Sequence, residues 1–279
     1  MASVAKDTVA EFADRGLTPD GLSITLVELS PPFSSGSYRG EVAYYPASVV
    51  KAFYLAYYEA QKERGKLADT PELVRAVRDM IRVSSNDATG LVVDSITGTT
   101  SGPELSGGEW EAWKEKRNAV DRFFASRGYQ GLNANQKTYC EDAYGREQAF
   151  RDGGRSMNRT TTALTARLFA EMAGGELIGP AGTDEAWKLL SRDVTSDRPL
   201  EEEELENARV AGHALPVGTA FWAKSGDAYD VRHLVARVRL PGGTEIVVAV
   251  FTKGVKNVQA VIPRVFEKIC ARYGPGPAR

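Results

Sequence analysis

The β-structure of this chain is concentrated near its two ends, and that placement constrains the fold more than any other feature. Three β-rich runs follow one another in the last third: Thr219 to Lys224, Arg232 to Leu240 and Glu245 to Thr252. The second and third are joined by the turn sequence Pro241-Gly242-Gly243. Near the start, Gly21 to Leu29 alternates well enough to be a strand, and Pro31 and Pro32 end it. Between these regions the pattern predicts helices over 47–64, 71–82, 87–96, 109–127, 160–172 (with Asn158 as N-cap) and 184–190. A further helix opens the chain at 5–15, with Val9, Phe12 and Ala13 at helical spacing, and an amphipathic one closes it at 258–273. Ser34 to Gly40 reads as a loop, and the acidic stretch 201–206 as a solvated face or turn. An antiparallel sheet made from both chain ends, with a helical block inserted, satisfies this order. The expected division is 1–45 and 212–279 for the α/β part and 46–211 for the mostly helical part.

Composition narrows the chemistry. Thirty-five Lys and Arg against 37 Asp and Glu give a formal charge of −2, without the basic excess of a general nucleic-acid coat. The two histidines, His213 and His233, and the two cysteines, Cys140 and Cys270, are too far apart for a compact zinc ligand set. No metal or other cofactor is expected, and the cysteines read as independent thiols. No run of 18 apolar residues is present, so no membrane span is expected. Met1 to Lys6 lacks a charged n-region and an apolar h-region, so no signal peptide is expected in the chain as it stands. Hydrolytic chemistry would fall to Ser, Lys and carboxylates.

Periodicity fails between Gly128 and Asn158, where Gly, Asn, Tyr and Arg dominate. A stretch this long without regular structure inside a compact domain is usually functional. Three short motifs flank it. Ser48-Val49-Val50-Lys51 places a hydroxyl and an amine three residues apart near a helix start. On a helix both lie on one face, and a desolvated lysine can take the proton from a serine nucleophile. Ser84-Ser85-Asn86 stands at the junction of two helices, offering a hydroxyl for proton relay and an amide to orient a carbonyl, or simply capping groups. Lys224-Ser225-Gly226 ends a predicted strand, with an ammonium for a substrate carboxylate and a glycine for close backbone approach.

Each motif alone is weak, but their joint occurrence in this order resembles the serine β-lactamase/penicillin-binding superfamily, and most closely its class A β-lactamase-like branch. The resemblance extends over nearly the whole chain, including Tyr45-Pro46-Ala47 before Ser48, Arg159-Thr160-Thr161-Thr162, and Val250 to Gly254. It implies an α+β, β-lactamase-like fold. It also implies Ser48 as the acylated nucleophile, Lys51 as its base or relay, and Ser84, helped by Lys224, as the proton donor to the leaving nitrogen. Asn86 would hold the substrate amide, Lys224, Ser225 and Gly226 the carboxylate end, and the backbone N–H groups of Ser48 and Asp227 the oxyanion. Arg232, eight residues after Lys224, is the expected carboxylate-binding arginine.

Two departures stand out. An acidic side chain at Asp227 is unusual beside a carboxylate-binding lysine. The Glu-x-x-Leu-Asn segment that activates the deacylating water in class A enzymes is missing, and the irregular stretch offers Glu141, Asp142 and Glu147 instead. Glu147, 13 residues before Thr160, is the expected base. The reading is an acyl-enzyme serine hydrolase, a β-lactam amide hydrolase by default, acting on a small β-lactam, amide or ester, with no nucleic-acid partner and expected as a monomer. A penicillin-binding, D,D-peptidase-like or esterase-like protein with slow deacylation is one alternative, and a non-catalytic binding module of the same fold is another.

Overall fold

A computed structural model of the chain describes residues 1–139, 142–193, 211 and 214–274. The chain divides by contacts into two units, the first made of Met1–Val49, Thr161–Glu176 and Leu190–Arg279, the second of Val50–Thr160 and Leu177–Leu189.

The first unit is organised by a six-stranded antiparallel sheet in the order β2-β1-β6-β5-β4-β3. Its strands are β1 (Leu22–Glu28), β2 (Ser35–Tyr38), β3 (Ser191–Arg192), β4 (Ala220–Ala228), β5 (Val231–Arg239) and β6 (Glu245–Lys253). The two chain ends meet where β1 pairs with β6, from Leu22↔Thr252 to Glu28↔Ile246. Side chains alternate across a pleated sheet. One face therefore carries Leu22, Ile24 and Leu26, Leu234, Ala236 and Val238, and Ile246, Val248 and Val250. These pack with α1 (Ala2–Glu11) and with the closing helix, whose Val261, Ile262, Val265, Phe266 and Ile269 share the same core. The opposite face meets a helix at Thr162–Gly174, and the Thr25 and Thr162 hydroxyls hydrogen-bond there at 2.8 Å. That helix therefore belongs with the sheet, although its position in the sequence lies within the expected helical part.

The second unit is helical. Its central element is α2 (Lys51–Glu63), which continues directly from a 3₁₀ turn at Ala47–Val50. Ten consecutive residues of α2, Lys51 through Ala60, are buried, the mark of a helix surrounded on all sides. Against it pack α3 (Pro71–Arg82), α4 (Asn86–Thr97) and α6 (Ala119–Ala125), and the unit also holds α5 (Gly107–Arg117) and α7 (Gly145–Arg151). In chain order the remaining helices are α8 (Thr162–Gly174), α9 (Pro180–Leu190) and α10 (Val261–Cys270).

Several expectations change. The helix predicted over 109–127 is two helices, α5 and α6, broken at Asn118 (φ −80°, ψ 12°), whose Oδ1 accepts from Asn135 Nδ2 at 2.8 Å. The irregular stretch contains α7, with Glu147 on it. Asn158 is not an N-cap. Its Oδ1 accepts from the backbone N–H groups of Asn135 and Gln136, and Thr161 caps α8 through Leu164 N. Ser35–Tyr38, expected as loop, pairs with β1 as a four-residue edge strand that has too little apolar alternation to be legible. The 201–206 segment, His213 and Cys140 lie outside the described residues, while Cys270 is a buried free thiol raised to about 11 by that burial.

Phe266 is fully buried and meets the Phe221 ring edge-on at 6.4 Å. Phe266→Ala is expected to destabilise the fold by about 3–5 kcal/mol, read as a lower urea midpoint; a shift well under 1 kcal/mol would mean the core of the sheet unit re-closes around the gap.

Candidate active site

The first cluster lies in the helical unit and is built around an amine. Lys51 has no exposed surface. Burying an amine without compensation is costly, so partners must be supplied. Its Nζ donates to Ser84 O at 2.5 Å, to Ser84 Oγ at 3.2 Å and to Asn86 Oδ1 at 2.8 Å. Ser84 takes a positive φ of 58°, a conformation that costs a non-glycine residue energy and is tolerated where the surroundings fix it. The three motif residues divide their work. Ser85 is the N-cap of α4, its Oγ accepting from Ala88 N at 3.1 Å, and this leaves Ser84 and Asn86 to the lysine. Asn86 Nδ2 in turn donates to Tyr139 O at 3.2 Å, tying the irregular stretch to the cluster.

The second cluster lies in the sheet unit, around the segment that ends in Ser48. Ala47 has φ 46°, so the backbone is strained immediately before the serine. Gly226 faces this segment closely: a Cβ there would stand 2.6 Å from Pro46 O and 2.9 Å from the backbone nitrogens of Ser48 and Val49. Glycine is therefore required by space. Gly226 pairs across the strands with His233, which the sequence analysis considered only as a metal ligand. His233 is fully buried, stacks on Phe251 with ring centroids 4.2 Å apart, and accepts from Thr252 N at Nδ1. That leaves Nε2–H to donate to Tyr45 O at 2.9 Å. Burial lowers the imidazole from 6.5 to about 4.

Lys224 is also fully buried, with Nζ donating to Ser225 O at 2.9 Å. K-S-G thus lies inside β4 rather than at its end. Ser225, Asp227 and their partners Leu234 and Arg232 alternate with Lys224 and Gly226 along the β4–β5 pair, so they occupy the other face. Asp227 Oδ2 accepts from Arg232 Nε at 3.0 Å, and Oδ1 lies 2.8 Å from Lys256 Nζ.

Glu147 stands in a different setting from the one its spacing suggests. It is 1% exposed, and its Oε1 lies 2.5 Å from Arg117 NH2, itself fully buried. Ser101 Oγ donates to the same oxygen at 3.1 Å, and Lys137 Nζ lies 3.5 Å away. Asp94 completes the network, paired with Arg117 at 3.1 Å and Lys137 at 2.6 Å. Two cations and two carboxylates thereby join α4, the 97–106 stretch, α5, the irregular segment and α7. Arg117 also lies 4.7 Å above the Trp113 ring. Among the other loop carboxylates, Asp142 is exposed and Glu141 lies outside the described residues.

The sheet order and helix arrangement are those of the class A β-lactamase fold. A β-lactamase from Sphaerobacter thermophilus superposes at TM-score 0.72 with 20% identity, covering 98% of this chain and 97% of that one. PBP-A superposes at 0.69 with 15% identity, covering 98% and 96%. The last common ancestor of Gram-negative bacterial class A β-lactamases gives 0.68 with 17% identity, covering 97% and 99%. The profile of the β-lactamase enzyme family matches residues 69–270, so the chain belongs to that family, within the serine β-lactamase superfamily. The matched span begins after Ser48 and Lys51. No curated protein matches the sequence.

Removing the Glu147 charge leaves a buried guanidinium with less compensation, so Glu147→Gln is expected to cost about 3 kcal/mol in urea unfolding. Stability unchanged within 0.5 kcal/mol (on the order of a surface change) would detach Glu147 from the network. His233 supplies the pH dependence. Its folded value of about 4 lies below the ordinary 6.5, so the unfolded chain binds the proton first. Its contribution is complete above pH 6.5 and is lost as pH falls toward 4. The stability-versus-pH slope in that window is expected to flatten in His233→Gln relative to the parent; parallel curves would show that the imidazole titrates normally.

Proposed function

We propose that the chain is a serine hydrolase that works through an acyl-enzyme on Ser48, with β-lactams or related cyclic amides and esters as substrates. The observation that carries this reading is the Lys51 amine, fully buried three residues after Ser48 in one helical run and held by Ser84 and Asn86. A lysine placed there without a catalytic task would be an unneeded burial of a polar group. A PBP-A variant, 16% identical to this chain, is described as an acyl-enzyme complex with penicillin G, and the shared fold supports the same chemistry here.

In this reading Ser48 Oγ attacks the substrate carbonyl while Lys51 Nζ, as the neutral amine, takes its proton. The oxyanion is held by the backbone N–H groups of Ser48 and Asp227. Ser84 Oγ passes a proton to the leaving nitrogen or oxygen, assisted by Lys224, and Asn86 orients the acyl side. Ser225 and Gly226 line the substrate strand. The acyl ester then waits for water.

Deacylation is where a second reading gains support. Glu147, the expected base, has Oε1 engaged by Arg117 and Ser101 and is shut from solvent. We therefore assign it to holding the α5–α7 framework and not to water activation. That favours slow deacylation, as in penicillin-binding proteins, unless Glu141 or Asp142 supplies the base. Glu141 follows Tyr139, the residue tied to Asn86, by two positions.

Mass spectrometry after exposure to penicillin G and to a chromogenic cephalosporin tests the proposal. A covalent adduct, transient or lasting, is expected in the parent and absent in Ser48→Ala. An adduct that persists in Ser48→Ala ends the nucleophile assignment. Lys51→Met is expected to slow acylation by about 10²–10⁴-fold, and unchanged acylation would move the base elsewhere. An adduct stable for hours selects the penicillin-binding reading, whereas turnover abolished by Glu141→Gln or Asp142→Asn selects the hydrolase and identifies its base.

A further inference from the structure

The acidic residue after the K-S-G motif is the most unusual feature of the sheet unit, and the proposed function leaves its side chain without a task. Asp227 stands directly opposite Arg232 in the β4–β5 register, on the face that also carries Ser225. Each of its carboxylate oxygens takes one cation, Oδ2 from Arg232 Nε at 3.0 Å and Oδ1 from Lys256 Nζ at 2.8 Å. Arg232 is the better buried of the two cations, with 16% of its side chain exposed against 37% for Lys256. A guanidinium and an ammonium gripping the two oxygens of one carboxylate is the arrangement with which a protein would bind an anionic ligand group. Here the carboxylate is already part of the chain.

We propose that Asp227 is a specificity residue that occupies Arg232 and Lys256 from within, so that this protein selects acyl donors that carry no carboxylate beside the scissile bond. The proposal rests on the acyl-enzyme reading above and names its substrate class: neutral esters, lactones or amides. Two arguments support it. The Nε–H of Arg232 and the Lys256 amine are already spent on Asp227, so both cations have less to offer a second carboxylate. An anionic substrate group seated beside residue 227 would also stand next to a fixed negative charge, and rejection of a partner by like charge is a common route to specificity. Asp227 ties Arg232 of the neighbouring strand and Lys256 to one carboxylate, so the three residues form one unit. Lys224 is outside that unit: its amine lies on the other face of the strand and donates to Ser225 O.

The test is a matched pair of acyl donors, penicillin G and its methyl ester, which differ only in the carboxylate. Acylation of Ser48 is followed by mass spectrometry for each. In the parent the ester is expected to acylate faster than the acid. In Asp227→Asn, which keeps the side-chain shape, the ester-to-acid ratio is expected to fall at least tenfold, because Arg232 and Lys256 become available to the substrate carboxylate. In Lys256→Gln, where a cation is lost and Asp227 remains, the ratio is expected to rise. Because each readout is a ratio on one protein, partial loss of folded material does not alter it. A ratio that stays constant across the three proteins, or a parent that prefers the free acid, overturns the assignment. If neither compound acylates Ser48 in the parent, the acyl-enzyme reading itself has failed, and the two failures are thereby distinguishable.

Discussion

The interaction on which the helical unit depends is the compensation of one buried amine. Lys51 is the first residue of a helix whose next nine residues are all buried, among them Phe53, Tyr54, Leu55 and Tyr57. An amine at the head of such a helix must find oxygen partners from another element. Those partners fix the α3–α4 junction: Ser84 adopts a left-handed conformation, so that its carbonyl and hydroxyl both reach Nζ, and Asn86 turns its Oδ1 the same way. Ser85, between them, closes the helix end. The S-x-N spacing is thus explained by local physics: two residues serve the lysine and the middle one caps the helix.

In the sheet unit the corresponding constraint is the approach of β4 to the 45–49 segment. Gly226 admits Pro46 O and Ser48 N at distances no Cβ permits, and its cross-strand partner His233 anchors Tyr45 O from the neighbouring strand. A neutral imidazole suits this position because it accepts from Thr252 N and donates to Tyr45 O at once. Strain at Ala47 is therefore held between two cross-strand partners, glycine on β4 and histidine on β5.

Much of this was legible in the sequence, for definite reasons. Strand β1 shows itself by alternation and β5 and β6 by Val-rich runs of nine residues, and Pro71 to Arg82 is a helix with Thr70 capping Leu73 N. The motif residues were visible because their spacing is local. What escaped was non-local. Glu147 has the right distance from Thr160 to look like a base, yet its surroundings are set by Arg117, 30 residues earlier, and by Lys137 and Asp94. No periodicity reports such a pairing. The break at Asn118 escaped for the same reason, since its partner Asn135 lies 17 residues away. His233 stands between Arg232 and Leu234 in β5, and nothing in that local pattern marks it as the partner of Tyr45, 188 residues earlier.

The buried four-charge network also explains how this chain stays ordered where it departs from the class A sequence pattern. The Gly-rich 97–108 stretch has few apolar residues, and in α5 it is Trp110 and Trp113 that pack, against Phe150 of α7. Asp94, Ser101, Arg117, Lys137 and Glu147 each come from a different part of that region and meet within hydrogen-bond or ion-pair distance. A buried ion pair adds little net stability compared with apolar residues of the same volume, but it is intolerant of alternative partners. Here it joins α4, α5, α7 and Lys137 of the irregular segment at one place. Through the Asn86 Nδ2–Tyr139 O bond that arrangement reaches the Lys51 cluster, two residues beyond Lys137. In the proposed assignment the Glu147 carboxylate would act on the site at a distance, by setting the path of the chain that runs past it.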